Sequence, residues 1–223
     1  MKNIVIANLG TGNLHSVKKA VEFVGEDRQV SISDAPEEIG NADSLVLPEQ
    51  GAIGTWMAQL AERPEMETAI RHRLENGPVL GVCIGLQALF DFSEESNGVK
   101  GLGVFRGNVR HFTEAGVGME AKSPNGQNST SLKVPHMGWN QVRQTHSHPL
   151  WQGIADDARF YFVHSYFASA GNSEDVAGEC EYGIRFTAAA SRGNIFATQF
   201  HPEKSHQAGL QLLRNFINWN GVH

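Results

Sequence analysis

The sequence predicts an α/β protein with a mostly parallel central sheet flanked by helices and additional antiparallel strands in its second half. Three observations predict it. Through the first half, short apolar runs alternate with segments whose apolar residues recur every three or four positions, a rhythm that lays strands parallel and covers both sheet faces. Residues 79–82, Val-Leu-Gly-Val, form a strand signal without polar alternation, as in a strand buried on both sides. In the second half, strand-like segments follow one another directly, which implies antiparallel hairpins. The 223 residues read as a single domain over 1–223, with no internal repeat and no linker.

Element by element, residues 4–7 (Ile-Val-Ile-Ala) form the first strand, ending in Gly10-Thr11-Gly12-Asn13. Leu14, Val17, Ala20, Val21 and Val24 then mark a helix, with Gly25 as its stop. Strands follow at 29–32 and 44–47, the latter cut by Pro48. Residues 58–74 read as helical, with Pro64 opening a second helix. After the strand at 79–82, helical spacing resumes over 86–92. Strand signals then occupy 104–112, 134–142, 160–167, 182–190 and 195–200, and Leu210, Leu213, Phe216, Ile217 and Trp219 mark a final helix. Residues 113–131, rich in Gly, Ser and Asn, read as a mobile surface insertion.

Composition removes several function classes. Hydrophobic residues make up 40% and charged residues 19%, too apolar for a disordered chain. Eighteen Lys+Arg against 24 Asp+Glu give a net charge of −6, which argues against a chain-wide basic face for nucleic acid. The longest apolar stretch, 79–90, is interrupted by Gly81, Gly85 and Gln87 and falls short of the ~18–20 residues of a membrane span. Met1-Lys2-Asn3 leads straight into a short apolar run, so no signal peptide and a cytoplasmic protein are expected. Two cysteines, Cys83 and Cys180, make no disulfide scaffold.

The sharpest chemical feature is Gly81-Val82-Cys83-Ile84-Gly85, placed where a buried strand gives way to a helix. This G-x-nucleophile-x-G pattern forms a nucleophile elbow: small residues allow a sharp turn that holds the nucleophile exposed, with the following amide, Ile84, available to an oxyanion. The plain alternative is a buried cysteine between two packing glycines. A thiol needs a base, and the base an orienting group. His201-Pro202-Glu203 supplies both at the end of another strand, and the ends of parallel strands converge on one sheet edge. Alone, the tripeptide could equally be a surface His and Glu.

Taken together, Gly81-Val82-Cys83-Ile84-Gly85-Leu86-Gln87 and His201-Pro202-Glu203 resemble the class I (triad) glutamine amidotransferases. Within that family the resemblance narrows to the glutaminase subunits of imidazole glycerol phosphate synthases. It rests on Gly10-Thr11-Gly12-Asn13-Leu14, on 93–99 (Ser-Glu-Glu-Ser-Asn-Gly-Val), on Pro135-His136-Met137-Gly138-Trp139-Asn140, on 160–166 (Phe-Tyr-Phe-Val-His-Ser-Tyr) and on His201-Pro202-Glu203-Lys204-Ser205. The resemblance implies that Cys83 attacks the side-chain amide of glutamine, His201 moves the proton to departing ammonia, and Glu203 orients His201. A glutamyl thioester would form and hydrolyse, with Gln87 binding substrate. Ammonia would pass to a (β/α)8-barrel cyclase subunit that makes imidazole glycerol phosphate and an aminoimidazole carboxamide ribotide for histidine biosynthesis. No metal or organic cofactor is implied. Asn13, Met137, Gly138, Trp139, Asn140 and Lys204 would face that partner.

One loop departs from the pattern. The subfamily's second oxyanion donor comes from a loop reading Pro-Gly-Val-Gly, and here it reads Pro48-Glu49-Gln50-Gly51. Gln50 and Gly51 would line the oxyanion site. Glu49 resists conformations that glycine tolerates and would bring negative charge near a thiolate, which predicts weaker or more partner-dependent glutaminase activity. Alternatively Glu49 points to solvent. Asn8-Leu9 also stand where relatives often show Asp-Tyr, which puts particular partner contacts in doubt.

Other features weigh less. Gly10-x-Gly12 lacks the third glycine of a dinucleotide site, His15 standing there. The sequon Asn128-Ser129-Thr130 has no use in a cytosolic chain, and His146-Ser147-His148 reads as surface rather than metal-binding. Cys180, between Glu179 and Glu181, is expected to be an unreactive thiol. Three competitors remain: a glutaminase serving another synthase, for example in sugar amidation; a catalytically idle regulatory subunit; and a cysteine hydrolase of some other amide.

Overall fold

A computed structural model describes residues 2–10, 12–49, 51–118 and 132–222. The parallel half runs β1 (Asn3–Ala7), α1 (Leu14–Val24), β2 (Gln29–Ser33), α2 (Pro36–Gly40), β3 (Ser44–Leu47), α3 (Ile53–Ala61), α4 (Pro64–Asn76), β4 (Val79–Val82) and the single turn α5 (Ile84–Gln87). Then follow β5 (Phe90–Ser93), β6 (Val99–Lys100), β7 (Phe105–His111), β8 (His136–Gln144), β9 (Ala158–His164), β10 (Tyr166–Ala170), β11 (Val176–Glu181), β12 (Arg185–Arg192), β13 (Ile195–Thr198) and α6 (His206–Asn218).

Strands order as β2-β1-β3-β4-β13-β12-β10-β7-β5-β6. The first five are mutually parallel. The β8–β9 hairpin joins through β11. Alternate residues of β1 feed opposite layers: Ile4 and Ile6 pack with Val17 and Val21 of α1 and Phe216 of α6, while Val5 and Ala7 pack with Trp56 of α3 and Ile70 of α4. This two-sided burial is why the parallel strands lack polar alternation. Pro64 opens α4 at its first turn, where its missing N–H costs nothing. No helix among the described residues is long and apolar enough to cross a membrane.

Several expectations need correction. Residues 86–92 are not one helix. The helix stops at Gln87, and Phe90–Ser93 pairs with β7, placing the Phe90 ring on Phe105 at 5.5 Å. So short an apolar run fits either period, and the sheet edge decided it. Residues 160–167 are two strands parted at Ser165, since β9 pairs with β8 while β10 crosses to β7 and β12. The first helix of the 58–74 pair begins at Ile53, and α2, β6 and β11 carried too little pattern to be read. Most of the expected 113–131 insertion, with the Asn128 sequon, lies outside the described residues, but Val117 is buried in the core. His148 is buried as well: its Nδ1 accepts from the Leu150 amide and its ring lies against Phe196 and Trp219, so it is no surface residue.

Candidate active site

Three adjacent parallel strands aim their carboxyl ends at one point. Register pairs Leu47 with Gly81 and Thr198 with Val82, so the chain leaves β3 into Pro48-Glu49, β4 into Cys83, and β13 toward His201 side by side. Cys83 sits at φ 54° and ψ −103°, a conformation that side chains rarely adopt. Its amide donates to the Thr198 carbonyl (2.7 Å), and its carbonyl accepts from Leu86 and Gln87, closing the helical turn behind it. The flanking glycines are steric necessities. A Cβ on Gly85 would lie 2.0 Å from the Leu47 carbonyl oxygen, and one on Gly81 would lie 2.9 Å from that of Gly85.

His201 is fully buried. Its amide donates to the Tyr161 carbonyl and its carbonyl accepts from the Ser205 hydroxyl, which fixes the backbone on both sides. Its ring Nδ1 lies 2.9 Å from Glu203 Oε1, the geometry that leaves Nε2 directed at the sulfur's side of the cleft. Nε2 makes no hydrogen bond. The Glu203 side chain is itself 2% exposed, held in the short turn that Pro202 begins.

Glu49 does not point to solvent. The Cys83 thiol donates to Glu49 Oε1 at 3.7 Å, and Glu49 Oε2 lies 3.5 Å from His201 Nε2. The carboxylate therefore stands across both groups that the sequence paired. Burial, first of all, pushes the Cys83 thiol well above its ordinary range; the charges of Glu49 and Glu203 and the Glu49 hydrogen bond push the same way, while the Ile84 amide pulls back. Burial and the neighbouring carboxylates thus both favour the protonated thiol in this arrangement.

The cleft above Cys83 measures about 280 Å³ and is lined by Glu49, Gly51, Ile84, Gln87, His164 and Tyr166 among others. Gly51 is exposed at φ 66°, and Gln50 lies outside the described residues. Gln87 is buried; its Nε2 donates to the Tyr166 carbonyl and to Gln199 Oε1, each at 3.1 Å, while its Oε1 has no partner. Sequence reasoning missed Gln199. It is fully buried and its Nε2 donates to Cys83 Sγ at 3.6 Å, an N–H directed at the sulfur in addition to the Ile84 amide. Its one signal was a lone amide inside an apolar run two residues before His201. Among the described residues, Cys83, His201 and Glu49 are the trio whose ligating atoms lie within 4.8 Å of one another. Cys180 is a different case: burial, chiefly, pushes its thiol up to about 12, the Glu181 backbone amide pulls back, and the Glu181 charge adds to the rise.

The residues expected to face a partner lie on the outside. Met137 and Trp139 share the outward face of β8, 62% and 39% exposed. Trp139 stacks on His206 at 4.8 Å and meets Tyr161 edge-on. Gly138 sits at φ 131°, Asn140 donates to the Glu181 carbonyl, Asn13 is exposed at the start of α1, and Lys204 Nζ lies 4.0 Å from Glu203.

A nucleophile elbow, a His–Glu pair one strand away and this sheet order define a class, and the family model described as glutamine amidotransferase class-I matches residues 6–219. The chain belongs to that family, a family of enzymes. More particularly, it is 46% identical to the imidazole glycerol phosphate synthase subunit HisH of Acinetobacter baylyi (99% of this chain, 100% of the relative). It is 48% identical to subunit HisH 1 of Pseudomonas aeruginosa (99% of each). Among solved structures, a glutamine amidotransferase superposes with a TM-score of 0.67 at 17% identity (96% of this chain and 97% of that one covered). PurLQS from Thermotoga maritima superposes with 0.65 at 14% identity (97% and 98% covered). At those identities the likeness concerns the fold.

Proposed function

We propose that this single-domain chain is the glutaminase subunit of an imidazole glycerol phosphate synthase, hydrolysing glutamine to glutamate and ammonia and passing the ammonia to a (β/α)8-barrel cyclase subunit in histidine biosynthesis. The observation that carries it is Cys83 held at positive φ beside a buried His201 whose Nδ1 is 2.9 Å from Glu203. Cys83 attacks the glutamine carboxamide and His201 passes the thiol proton to the departing ammonia, leaving a glutamyl thioester; water, deprotonated by His201, then cleaves the S–C bond to release glutamate and the proton returns to sulfur, while Glu203 fixes the tautomer and stabilises the imidazolium. The Ile84 amide, with Gln50 and Gly51, receives the oxyanion, and Gln87 Oε1 is free to accept from substrate. Met137, Trp139, Asn140, Gly138, Asn13 and Lys204 meet the cyclase. The relatives' names support this synthase over one for sugar amidation. The reading includes a cytoplasmic location, where two free thiols such as Cys83 and Cys180 are ordinary.

One observation favours a restrained version of this function: the Glu49 carboxylate spans the thiol and the imidazole, the two groups the reaction uses. The test is glutamate release from glutamine, alone and with a cyclase subunit plus its ribotide ligand. Strong stimulation that vanishes in Cys83→Ala supports the reading. No turnover in a complex that forms would leave a regulatory subunit, and no complex would point to another synthase.

A further inference from the structure

We propose that Cys83, His201 and Glu49 form a binding site for a thiophilic divalent cation, Zn²⁺ foremost, that shuts off the enzyme reversibly. As an inhibitory site it rests on the glutaminase reading; as a metal site it does not.

The donor set is thiolate, imidazole and carboxylate, the combination that zinc accepts and that magnesium or calcium does not. A tetrahedral Zn²⁺ with Zn–S ~2.3 Å and Zn–N or Zn–O ~2.0–2.1 Å places sulfur and oxygen ~3.6 Å apart and nitrogen and oxygen ~3.4 Å apart. The corresponding separations here are 3.7 and 3.5 Å. They are made by the two oxygens of one carboxylate, and a swivel of that group offers a single oxygen to both. Three protein ligands leave the fourth position open to the cleft.

The surroundings are those of a built site. His201 Nε2 is buried without a hydrogen-bond partner, so its lone pair is available. Glu203 on Nδ1 supplies the carboxylate–histidine–metal relay that fixes ring orientation and strengthens the ligand. Gln199 directs an N–H at the sulfur, which favours thiolate. Glu49, 31% exposed, forms the entry from the cleft. On binding, the S–H bond breaks, the S–Zn bond forms, and the proton leaves to solvent. The ion then holds the sulfur and the ring nitrogen at once, removing nucleophile and base together.

The test uses the full chain freed of metal and titrated with Co²⁺ as a spectroscopic stand-in, then with Zn²⁺ by calorimetry. One equivalent should give a thiolate-to-cobalt charge-transfer band with tetrahedral ligand-field bands, and Cys83→Ala should abolish both. Glu49→Gly should weaken Zn²⁺ binding by at least ~100-fold, since losing only a supporting partner of a ligand already costs ~10–100-fold. With cyclase present, Zn²⁺ should stop glutamine turnover, and a chelator should restore it. Absence of the charge-transfer band, binding that survives Cys83→Ala, or equal affinity in Glu49→Gly would overturn the site. A band in a protein without glutaminase activity would keep the metal site and remove the glutaminase reading instead. Circular dichroism of each variant separates a lost ligand from a lost fold.

Discussion

Replacing Glu49 by Gln keeps the side chain's size and removes its charge. At 3.7 Å and an effective dielectric constant of ~20, a carboxylate opposes a neighbouring thiolate by ~4.5 kcal/mol. With about a third of its side chain open to water, Glu49 is screened, and ~1.5–3 kcal/mol survives. Glu49 is therefore one of the groups that hold the Cys83 thiol up, after burial itself. The sign follows from the charge: without Glu49 the thiolate is less opposed, the thiol titrates lower, and the rising limb of reactivity moves to lower pH. The assay is the rate of iodoacetamide alkylation of Cys83 against pH in the unpartnered chain, a readout that needs neither glutamine nor cyclase. Below the limb, Glu49→Gln should react ~10–100-fold faster at a given pH, following a limb displaced to lower pH. Coincident pH profiles would refute the assignment of Glu49 as the restraint. Partner-stimulated turnover should likewise rise in Glu49→Gly, and unchanged turnover would refute the functional half.

Other outcomes follow from the same geometry. Gly85→Ala drives a methyl into the Leu47 carbonyl and should lower unfolding free energy by at least ~1–3 kcal/mol in urea titrations while abolishing glutamine turnover. Trp139→Ala should weaken cyclase binding by ~2 kcal/mol or more in calorimetry with little change in Tm, because the ring is exposed. Burial lowers His136 to about 4 and His164 to about 3; on His164 the Tyr166 carbonyl pulls back, and His136 and then His201 add smaller downward pushes. The unfolded chain binds those protons near pH 6.5, so stability is full above 6.5 and is lost as pH falls toward 3–4. At pH 5 the two together should cost ~4 kcal/mol relative to pH 7.5, and a His136→Gln/His164→Gln pair should flatten that slope in denaturant titrations.

The parallel half was legible because its two signals are local and strong. An unbroken apolar tetrapeptide such as Val79–Val82 must be buried on both faces, and a stripe such as Leu14, Val17, Val21 has one period that fits it. The antiparallel half was less so. Phe90–Ser93 became a strand because β7 offered it an edge, and the break at Ser165 exists because β9 and β10 serve different neighbours. Neither fact is written within ten residues of chain. That Cys83, His201 and Glu203 stand together was readable because they lie just beyond two apolar runs, in the short motifs Gly-Val-Cys-Ile-Gly and His-Pro-Glu. Gln199 was not, since a single amide in a strand reads as noise until the sulfur is placed beside it.

Glu49 teaches the converse. As a residue in a loop, it could be given a charge and a backbone preference but no direction. Its direction comes from strand order: β4 lies between β3 and β13, and strands lie ~4.8 Å apart, so the ends of β3 and β13 stand ~10 Å apart with Cys83 midway. A side chain of glutamate length leaving β3 toward β13 must pass over the sulfur and reach the imidazole. It does both, at 3.7 and 3.5 Å. A shorter side chain would stop at the sulfur, and glycine would leave the space to substrate. The same reach that restrains the thiol completes a metal's ligand set. Glu49→Asp, about one methylene shorter, should therefore keep part of the thiol's opposition, as the alkylation limb would report, yet lose the Co²⁺ charge-transfer complex. If both properties changed in proportion, one contact and not two would be responsible.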